Sequence, residues 1–109
     1  MATHIINLDS WKNLNSLITS AIRHKKLVKF YYNGGTRIVE PHCHGFTTAN
    51  NEGLRAFQVS GYSESGNLGW KMFDLNHASS FFVLDATFMI PRSGYKKGDR
   101  EMSKIYCEL

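Results

Sequence analysis

Residues 27–41, LVKFYYNGGTRIVEP, decide the fold. Residues 27–32 alternate in polarity and are rich in β-branched and aromatic side chains, which is typical of a strand. Asn33-Gly34 follows, and this pair is the strongest short signal for a hairpin, because both central residues of a type I′ turn need a positive φ. The stretch therefore predicts two antiparallel strands joined by a tight turn, with residues 36–40 pairing back on the first strand.

A helix is predicted directly before this hairpin. Apolar residues recur at spacings of three and four over residues 10–24, and Ser10 is suited to cap the first turn. The predicted apolar face consists of Trp11, Leu14, Leu17, Ile18, Ala21 and Ile22. Residues 23–26, RHKK, bring positive charge to the end of the helix. That charge either complements the negative end of the helix dipole or forms the rim of an anion site.

Further β segments are predicted after the hairpin. Pro41 has no N–H, so we expect it to end the ladder or to place it at a sheet edge, with a short segment over residues 42–47. Residues 54–62 and 69–75 alternate as a second hairpin, and residues 79–84 supply a last strand. One helix followed by short strands and tight turns favours a mostly β fold, in which a small antiparallel sheet closes into a β-barrel.

The domain boundaries follow from a change of texture near residue 85. We expect residues 1–84 to form the helix and barrel, and residues 85–109 to form a C-terminal extension packed on or near the barrel. Within the extension, residues 100–109 are expected to form a short helix. The side chains expected to be largely buried are Ile18, Ile22, Val28, Phe30, Phe57, Val59, Phe73 and Leu75.

Composition excludes several classes of protein. The chain has 109 residues, 42% of them hydrophobic, so we expect one compact domain and not a two-domain enzyme. Its formal net charge of +4 is concentrated toward the two ends, which favours an anionic partner. No apolar stretch approaches the roughly 18 residues of a membrane helix. With two cysteines and no signal-peptide pattern, we expect a cytoplasmic protein with reduced thiols and no membrane partner.

Three segments carry a resemblance to a known family. They are residues 21–26, AIRHKK, at the end of the predicted helix, the hairpin of residues 28–41, and residues 71–78, KMFDLNHA. In this order they resemble a WYL domain, a small bacterial and phage module with an SH3-like or Sm-like β-barrel. The resemblance covers residues 12–84. The triplet that names the family aligns with Phe57-Gln58-Val59.

The resemblance implies a ligand-sensing role. In WYL domains a tyrosine and the basic residues around it have been linked to binding negatively charged ligands, including nucleotides and single-stranded nucleic acids. Lys71 and His77 stand where the family has arginines, and Asn76 stands where it has aspartate, so the forked geometry of arginine is lost at two positions. Most family members also carry a helix-turn-helix domain, for which residues 1–24 leave no room. A stand-alone regulatory module is therefore implied.

A ligand patch is predicted on these residues and their neighbours. Arg37 follows the turn, where its guanidinium could reach an anion at the barrel mouth, and a pair with Glu40 is the alternative. Lys71 shares a face with Phe73 by alternation and is therefore expected at the rim, while Gln58 is expected on a small polar face open to solvent or to a flat ligand. The predicted ligand-binding residues are Tyr32, Arg37, Arg55, Gln58, Lys71, Asn76 and His77.

A second cationic cluster lies in the extension. One aromatic residue, Tyr95, is interleaved with Arg92, Lys96, Lys97 and Arg100. Single-stranded nucleic acid is held in this way, by a basic track and a stacking ring. A solvated, lysine-rich loop is the alternative. Tyr95, Lys96, Lys97 and Arg100 are therefore predicted as auxiliary contacts.

Residues 42–44, HCH, are the remaining candidate for chemistry. A structural zinc site needs four ligands, usually with spacings that this chain lacks, and Cys43 as a nucleophile would need a cleft and an oxyanion donor. The sequence contains no glycine-rich dinucleotide motif, P-loop or nucleophile elbow. We expect no enzymatic activity, metal or cofactor.

Two functions remain open at this point. The first is a regulatory module that binds a nucleotide or a short single-stranded nucleic acid at one basic patch. The second is a protein-interaction subunit of a phage or defence-associated assembly, which would use an exposed strand edge or an apolar patch. A homodimer is compatible with either function.

Overall fold

The chain forms one helix followed by six strands in the computed structural model, which describes residues 10–109. The elements are α1 Ser10–Arg23, β1 Lys26–Tyr32, β2 Gly35–Thr47, β3 Glu52–Gly61, β4 Gly69–Asp74, the 3-10 turn Leu75–His77, β5 Ala78–Thr87 and β6 Met102–Glu108. The side chains of Ser10 and Trp11, and with them the predicted N-cap, lie outside what the structure describes. Within residues 10–109, no helix has the length and apolar character needed to cross a membrane.

The predicted hairpin is confirmed. β1 and β2 are antiparallel, with Val28 opposite Val39 and Tyr32 opposite Gly35. Asn33 and Gly34 join them with φ of 38° and 99°, as the Asn-Gly turn requires. The hairpin therefore forms for the local reason that the sequence offers.

The sheet is antiparallel and has the order β4-β3-β2-β1-β5, with β6 paired to the second half of β2. The prediction of a mostly β fold with an N-terminal helix is confirmed. Closure into a barrel is not confirmed, because β4 and β5 stand at the two ends of the hydrogen-bonded order among the described strands.

β2 is longer than predicted, and the prediction that Pro41 ends the ladder is wrong. The strand runs through Pro41 to Thr47, and its register with β3 shifts after the proline: Pro41 lies opposite Ala56 and Cys43 lies opposite Arg55. This β-bulge accommodates the missing N–H and leaves His42 as the extra residue. β5 is also longer than residues 79–84, since it extends from Ala78 to Thr87.

The core lies between α1 and the inner face of the sheet. Of the expected core residues, Ile18, Ile22, Val28, Phe30, Phe73 and Leu75 are buried. Phe57 and Val59 are only half-buried, and the assignment of these two to the core is wrong. On β3 it is Leu54, Ala56 and Gln58 that are fully buried.

The outer face of β3 is covered by residues 88–101, which we call the strap. Alternation shows which residues of a strand share a face. The strap contacts the face of β3 away from the core, where the Arg92 guanidinium lies 4.4 Å from the Phe57 ring centroid and Asp99 binds Arg55. Phe57 packs edge-on against Trp70 on this outer face, with ring centroids 5.5 Å apart. Two covered faces explain why the strand carries large apolar residues on the side away from the core.

Residues 102–108 form a strand, so the predicted helix over residues 100–109 is wrong. β6 pairs with β2, with His44 opposite Cys107 and Phe46 opposite Lys104. The two strands approach closely at Gly45, where a Cβ would lie 2.1 Å from the Lys104 carbonyl oxygen. Pairing with β2 satisfies the backbone of this segment and overrides its weak helical spacing.

Candidate functional site

The predicted site residues fall into two groups on opposite faces of β3 and β4. On the inner face, Ala56 lies opposite Lys71, and on the outer face Phe57 lies opposite Trp70. Arg37, Gln58 and Lys71 belong to the inner group. Arg55 and the predicted auxiliary contacts of the extension belong to the outer group. The structure therefore brings together two sets of side chains, not one patch.

Arg37 is buried, with 3% of its surface exposed, and does not reach out from the barrel mouth as predicted. Its Nη2 donates to the carbonyl oxygens of Tyr32 at 2.9 Å and Asn33 at 3.3 Å. Its guanidinium carbon lies 5.1 Å from the Tyr32 ring centroid and 5.3 Å from that of Tyr62. The alternative pairing with Glu40 does not occur either, because Glu40 binds Arg92. These contacts hold the β1–β2 turn against the sheet.

Gln58 is fully buried, which corrects the prediction of a solvent-facing amide. Its Nε2 donates to the carbonyl oxygens of Ser60 at 3.0 Å and Tyr62 at 2.8 Å, while its Oε1 lacks a hydrogen-bond partner among the described residues. Lys71 lies at the rim, as expected, and its Nζ donates to Ser63 Oγ at 2.8 Å. Burial and the nearby Arg37 lower the pKa of Lys71. Most side-chain hydrogen bonds of the inner group therefore go to backbone carbonyl oxygens of the protein itself.

Asn76 and His77 lie on the 3-10 turn at the margin of the inner group. His77 is more than half exposed, its Nε2 lies 3.5 Å from Asp74 Oδ2, and its ring centroid is 6.3 Å from that of Tyr32. The Tyr32 hydroxyl accepts from the Asp74 N–H at 3.0 Å. The exposed Asn76 donates its backbone N–H to Asp74 Oδ1. These residues are tied to each other, and they lie away from the cleft described below.

The strap is fastened to the sheet near its start. Arg92 donates to both carboxylate oxygens of the buried Glu40, at 2.7 and 3.1 Å, and its guanidinium lies 4.4 Å from the Phe57 ring centroid. Further along, Trp70 Nε1 donates to the Ser93 carbonyl oxygen at 3.0 Å. The strap therefore follows a fixed path over the outer face.

His42, the extra residue of the bulge, is the centre of this attachment. It is fully buried, with its ring between those of Trp70, Phe88 and Tyr95 at centroid distances of 4.6, 5.3 and 5.1 Å. Nδ1 donates to the Glu40 carbonyl oxygen at 2.8 Å, and Nε2 accepts the Arg92 N–H at 3.1 Å. These partners fix the neutral tautomer with the proton on Nδ1. Burial lowers the pKa of His42.

The second half of the strap encloses a cleft of about 640 Å³, which we call the strap cleft. Five of the predicted residues line it, together with Trp70, two glycines and two acidic residues. The lining is Arg55, Trp70, Gly94, Tyr95, Lys96, Lys97, Gly98, Asp99, Arg100 and Glu101.

The charges in the strap cleft are only partly compensated. Arg55 is held by Asp99 at 2.7 Å and by Glu101 at 3.0 Å, and its guanidinium lowers the pKa of Asp99. Lys96, Lys97 and Arg100 are exposed and form no ion pair with another residue of the described range. Because four cations and two carboxylates line the cleft, its lining is net positive.

Aromatic rings form one wall of the strap cleft. Trp70 and Tyr95 are nearly parallel, at 24°, with ring centroids 6.4 Å apart, and the Tyr95 hydroxyl is anchored on the Leu109 carbonyl oxygen. Sequence reasoning missed Trp70. Its alternation with the core residue Phe73 would have placed it on the outer face, but only the strap shows that this face belongs to a site.

Residues 42–44 do not form the site that their composition suggests. Cys43 is 1% exposed, and burial raises the pKa of its thiol to about 12, which leaves little thiolate at neutral pH. His44 is buried, with its Nε2 3.6 Å from Glu52 Oε1, and Glu52 Oε2 accepts from the Tyr106 hydroxyl. In residues 10–109, no three side chains of His, Cys, Asp or Glu come together as metal ligands would.

The residues of the strap cleft are not assigned to a function by similarity. Comparison of the chain with family models, with curated proteins and with solved structures gives no match. What the cleft can do follows from its own chemistry: exposed cations at its margin and a pair of aromatic rings on one wall.

Proposed function

We propose that the strap cleft binds an anionic ligand of the nucleotide type, either a free nucleotide or a short single-stranded nucleic acid, and that the protein is a regulatory binding module and not an enzyme. The observation that carries this proposal is the position of Lys96, Lys97 and Arg100, which lie without a described ion partner beside the rings of Trp70 and Tyr95.

The physical reason is that the two kinds of side chain suit the two parts of a nucleotide. Phosphate oxygens attract lysine and arginine, and a guanidinium presents a planar fork that matches them. A base offers a flat π-face to an aromatic ring, and stacking is worth about 1–3 kcal/mol per base. Three cations and a ring wall in one cleft would therefore hold both parts at once.

The strap cleft is favoured over the inner group because its cations are accessible. Arg37 and Gln58 are buried, and Arg37 Nη2 and Gln58 Nε2 already donate to backbone carbonyl oxygens. The resemblance to WYL domains supports an anionic ligand in general. On the same resemblance, we propose that the antiparallel sheet corresponds to an SH3-like barrel. The contacts described above support the choice of face.

Fluorescence anisotropy with a labelled six-nucleotide single strand tests the proposal. We expect the double variant Lys97→Glu/Arg100→Glu to lose at least about tenfold in affinity, since each reversal replaces an attraction by a repulsion. The matched control is Lys29→Glu/Lys104→Glu, which makes the same change of net charge at exposed positions outside the cleft. Equal losses in both variants, or no binding by the unmodified protein at low salt, would overturn the proposal.

A second candidate function, protein interaction through a strand edge, is favoured by a different observation. β5 is an end strand of the sheet, and Phe82 on β5 and Tyr31 on β1 are 58% and 47% exposed. An end strand with exposed aromatic rings beside it is suited to pair with another chain, including a second copy. Light scattering of the unmodified protein and of the Phe82→Ser variant tests this function. If the unmodified protein forms an assembly and the variant does not, the result supports the second function. If both proteins are monomers, the result is evidence against self-association.

A further inference from the structure

The structure of the strap depends on which atoms of His42 carry protons. Nδ1 must carry one, because its neighbour is the Glu40 carbonyl oxygen, and Nε2 must carry none, because its neighbour is the Arg92 N–H. One neutral tautomer therefore satisfies both partners. A backbone N–H can only donate, so the ring can accept the hydrogen bond from the Arg92 backbone N–H only when Nε2 carries no proton.

A proton on Nε2 would act against the strap in two ways. The added proton would face the backbone N–H of Arg92, so that hydrogen bond would be lost. It would also place a positive charge among the rings of Trp70, Phe88 and Tyr95. A buried donor without an acceptor and a buried charge without water are both costly. Moving the strap away would return the ring to solvent.

Two charged side chains and one further titratable side chain lie around His42. Glu40 on β2 and Arg92 on the strap act in opposite directions, the carboxylate favouring the charged ring and the guanidinium opposing it. The Glu40 carboxylate is engaged by Arg92. Tyr95 is the other titratable neighbour, and burial raises its pKa to about 12, so it is neutral below pH 8. Trp70 and Phe88 carry no charge. Burial is therefore the largest influence on the pKa of His42, and it lowers that pKa.

From this geometry we infer that His42 is a positioning residue for the strap cleft: its neutral ring holds the strap over the outer face, and protonation of Nε2 releases the strap and dismantles the cleft. The consequence for ligands rests on the proposed function. An anion-binding site with a histidine usually strengthens in acid, whereas this cleft is expected to lose its anion in acid.

The direction with pH follows from linkage. His42 has a lower pKa with the strap closed than the ordinary 6.5 that it regains when exposed, so the open form binds protons more readily. Above about pH 6.5 the equilibrium is insensitive to pH. Below that value the ratio of open to closed strap rises by up to about tenfold per pH unit, until the pKa of the closed form is reached.

Hydrogen exchange measured by NMR tests the inference without any ligand. The reporters are the Arg92 N–H and the Trp70 indole N–H, which are bonded to His42 and to the Ser93 carbonyl oxygen. Corrected for intrinsic chemistry, their protection is expected to be constant from pH 7.5 to 6.5 and to fall toward tenfold per unit below this. Protection that stays constant down to pH 5 would overturn the inference.

Two variants separate His42 from the other histidines. In His42→Gln the side chain can still donate and accept but does not titrate, so the protection should become independent of pH. In His77→Gln the dependence should remain. If His42→Gln does not fold, the NMR titration of the His42 ring in the unmodified protein replaces it. A ring that titrates at the ordinary 6.5, or a dependence that follows His77, would overturn the inference.

A binding measurement on the same samples keeps the two proposals apart. The single-stranded six-mer should bind more weakly at pH 5.5 than at pH 7.5 in the unmodified protein and equally at both in His42→Gln. If exchange shows the opening but no oligonucleotide or nucleotide binds at any pH, the inference about His42 stands and the proposed function fails. Binding that does not change while the strap opens would place the ligand elsewhere.

Discussion

Arg92 and Glu40, 52 positions apart in the chain, are joined by two hydrogen bonds that fasten the strap to β2. Glu40 is buried and Arg92 is half-exposed, so the carboxylate depends on the arginine for nearly all its compensation. This pair and His42 lie next to each other at the bulge of β2. The strap cleft is therefore held by groups that do not line it.

Arg92→Ala is expected to weaken ligand binding although Arg92 is outside the cleft. The substitution leaves the Glu40 carboxylate buried without its partner, which favours the open strap. The apparent affinity is then the intrinsic affinity multiplied by the fraction of molecules whose cleft remains formed. Anisotropy and urea unfolding measure both effects. Glu40→Gln in the Arg92→Ala background should restore part of the stability, because it removes the stranded charge. No restoration would show that the arginine acts by packing on Phe57 alone.

Salt should weaken binding with a slope set by the cations of the cleft. For single strands the slope of log affinity against log salt is about −0.7 per neutralised phosphate, so contacts by Lys96, Lys97 and Arg100 give about −2. Between 50 and 200 mM salt, affinity should fall about fifteenfold. Lys97→Ala should make the slope shallower by about 0.7. A slope near zero would show that the ligand is held without its phosphates.

Arg37→Ala is expected to lower stability and to leave the cleft intact. The side chain makes two hydrogen bonds to carbonyls and packs on Tyr32 and Tyr62, and such bonds to a charged group contribute roughly 1.5–3 kcal/mol. Urea unfolding measures this loss. Oligonucleotide affinity, measured under conditions where the variant is folded, should change less than about twofold. A tenfold loss would move the ligand site to the inner group that the sequence suggested.

Phe73→Ala should be among the most destabilising single changes. Phe73 is 1% exposed and meets the rings of Phe30 and Tyr32 edge-on, each at 5.0 Å between centroids. Removing a buried phenyl ring costs roughly 3–5 kcal/mol, a large share of the stability of a small domain. Thermal unfolding measures it. A cost below about 1 kcal/mol would show that the inner face is loosely packed.

The Cys43 thiol should resist alkylation in the folded protein. Its pKa of about 12, against an ordinary 9.0, lowers the thiolate fraction at pH 8 by about a thousandfold, and the thiolate is the reactive form. Iodoacetamide labelling located by mass spectrometry should mark Cys43 only after unfolding. Fast labelling at pH 8 under native conditions would instead revive Cys43 as a candidate nucleophile.

Local signals in the sequence were sufficient for the helix and for the first hairpin. Asn33-Gly34 dictates its turn because few other residues accept positive φ at both positions, and the helical spacing of Ile18 and Ile22 identifies their buried face. These features depend on neighbours a few residues away. They are therefore readable without knowing the rest of the fold.

Features that depend on pairing with distant segments could not be predicted from the sequence. Pro41 looked like the end of a strand because its effect on a ladder is local, whereas the bulge that rescues the ladder depends on the register with Ala56 and Arg55. The segment 102–108 looked helical because nothing nearby shows that β2 has an unpaired half. Which residues of β3 face the core could not be predicted either, because the answer depends on the distant strap that covers the other face.

The candidate site was predicted in composition but not in arrangement. The basic residues of the extension and Arg55 were identified separately, and only the strap brings them together around Asp99. Arg37 was identified by its chemistry, but its burial depends on Tyr62, which lies 25 positions further along the chain. Charge and residue type are sequence properties, whereas accessibility belongs to the folded chain.

The pairing of β6 with β2 also sets an order of assembly during synthesis. A ribosome that has released residues up to Thr87 has supplied all five strands of the main order, while Glu40, Phe57 and Trp70 still lack their cover. At about 5–20 residues per second the strap and β6 follow within a few seconds. During that interval the nascent chain presents the unpaired charges of Glu40 and Arg55 beside apolar rings, where the finished chain presents a cleft with a net positive lining. If the strap cleft binds an anion as proposed, only a chain that already includes the strap and β6 can bind it there, so products truncated before residue 88 would not compete for ligand.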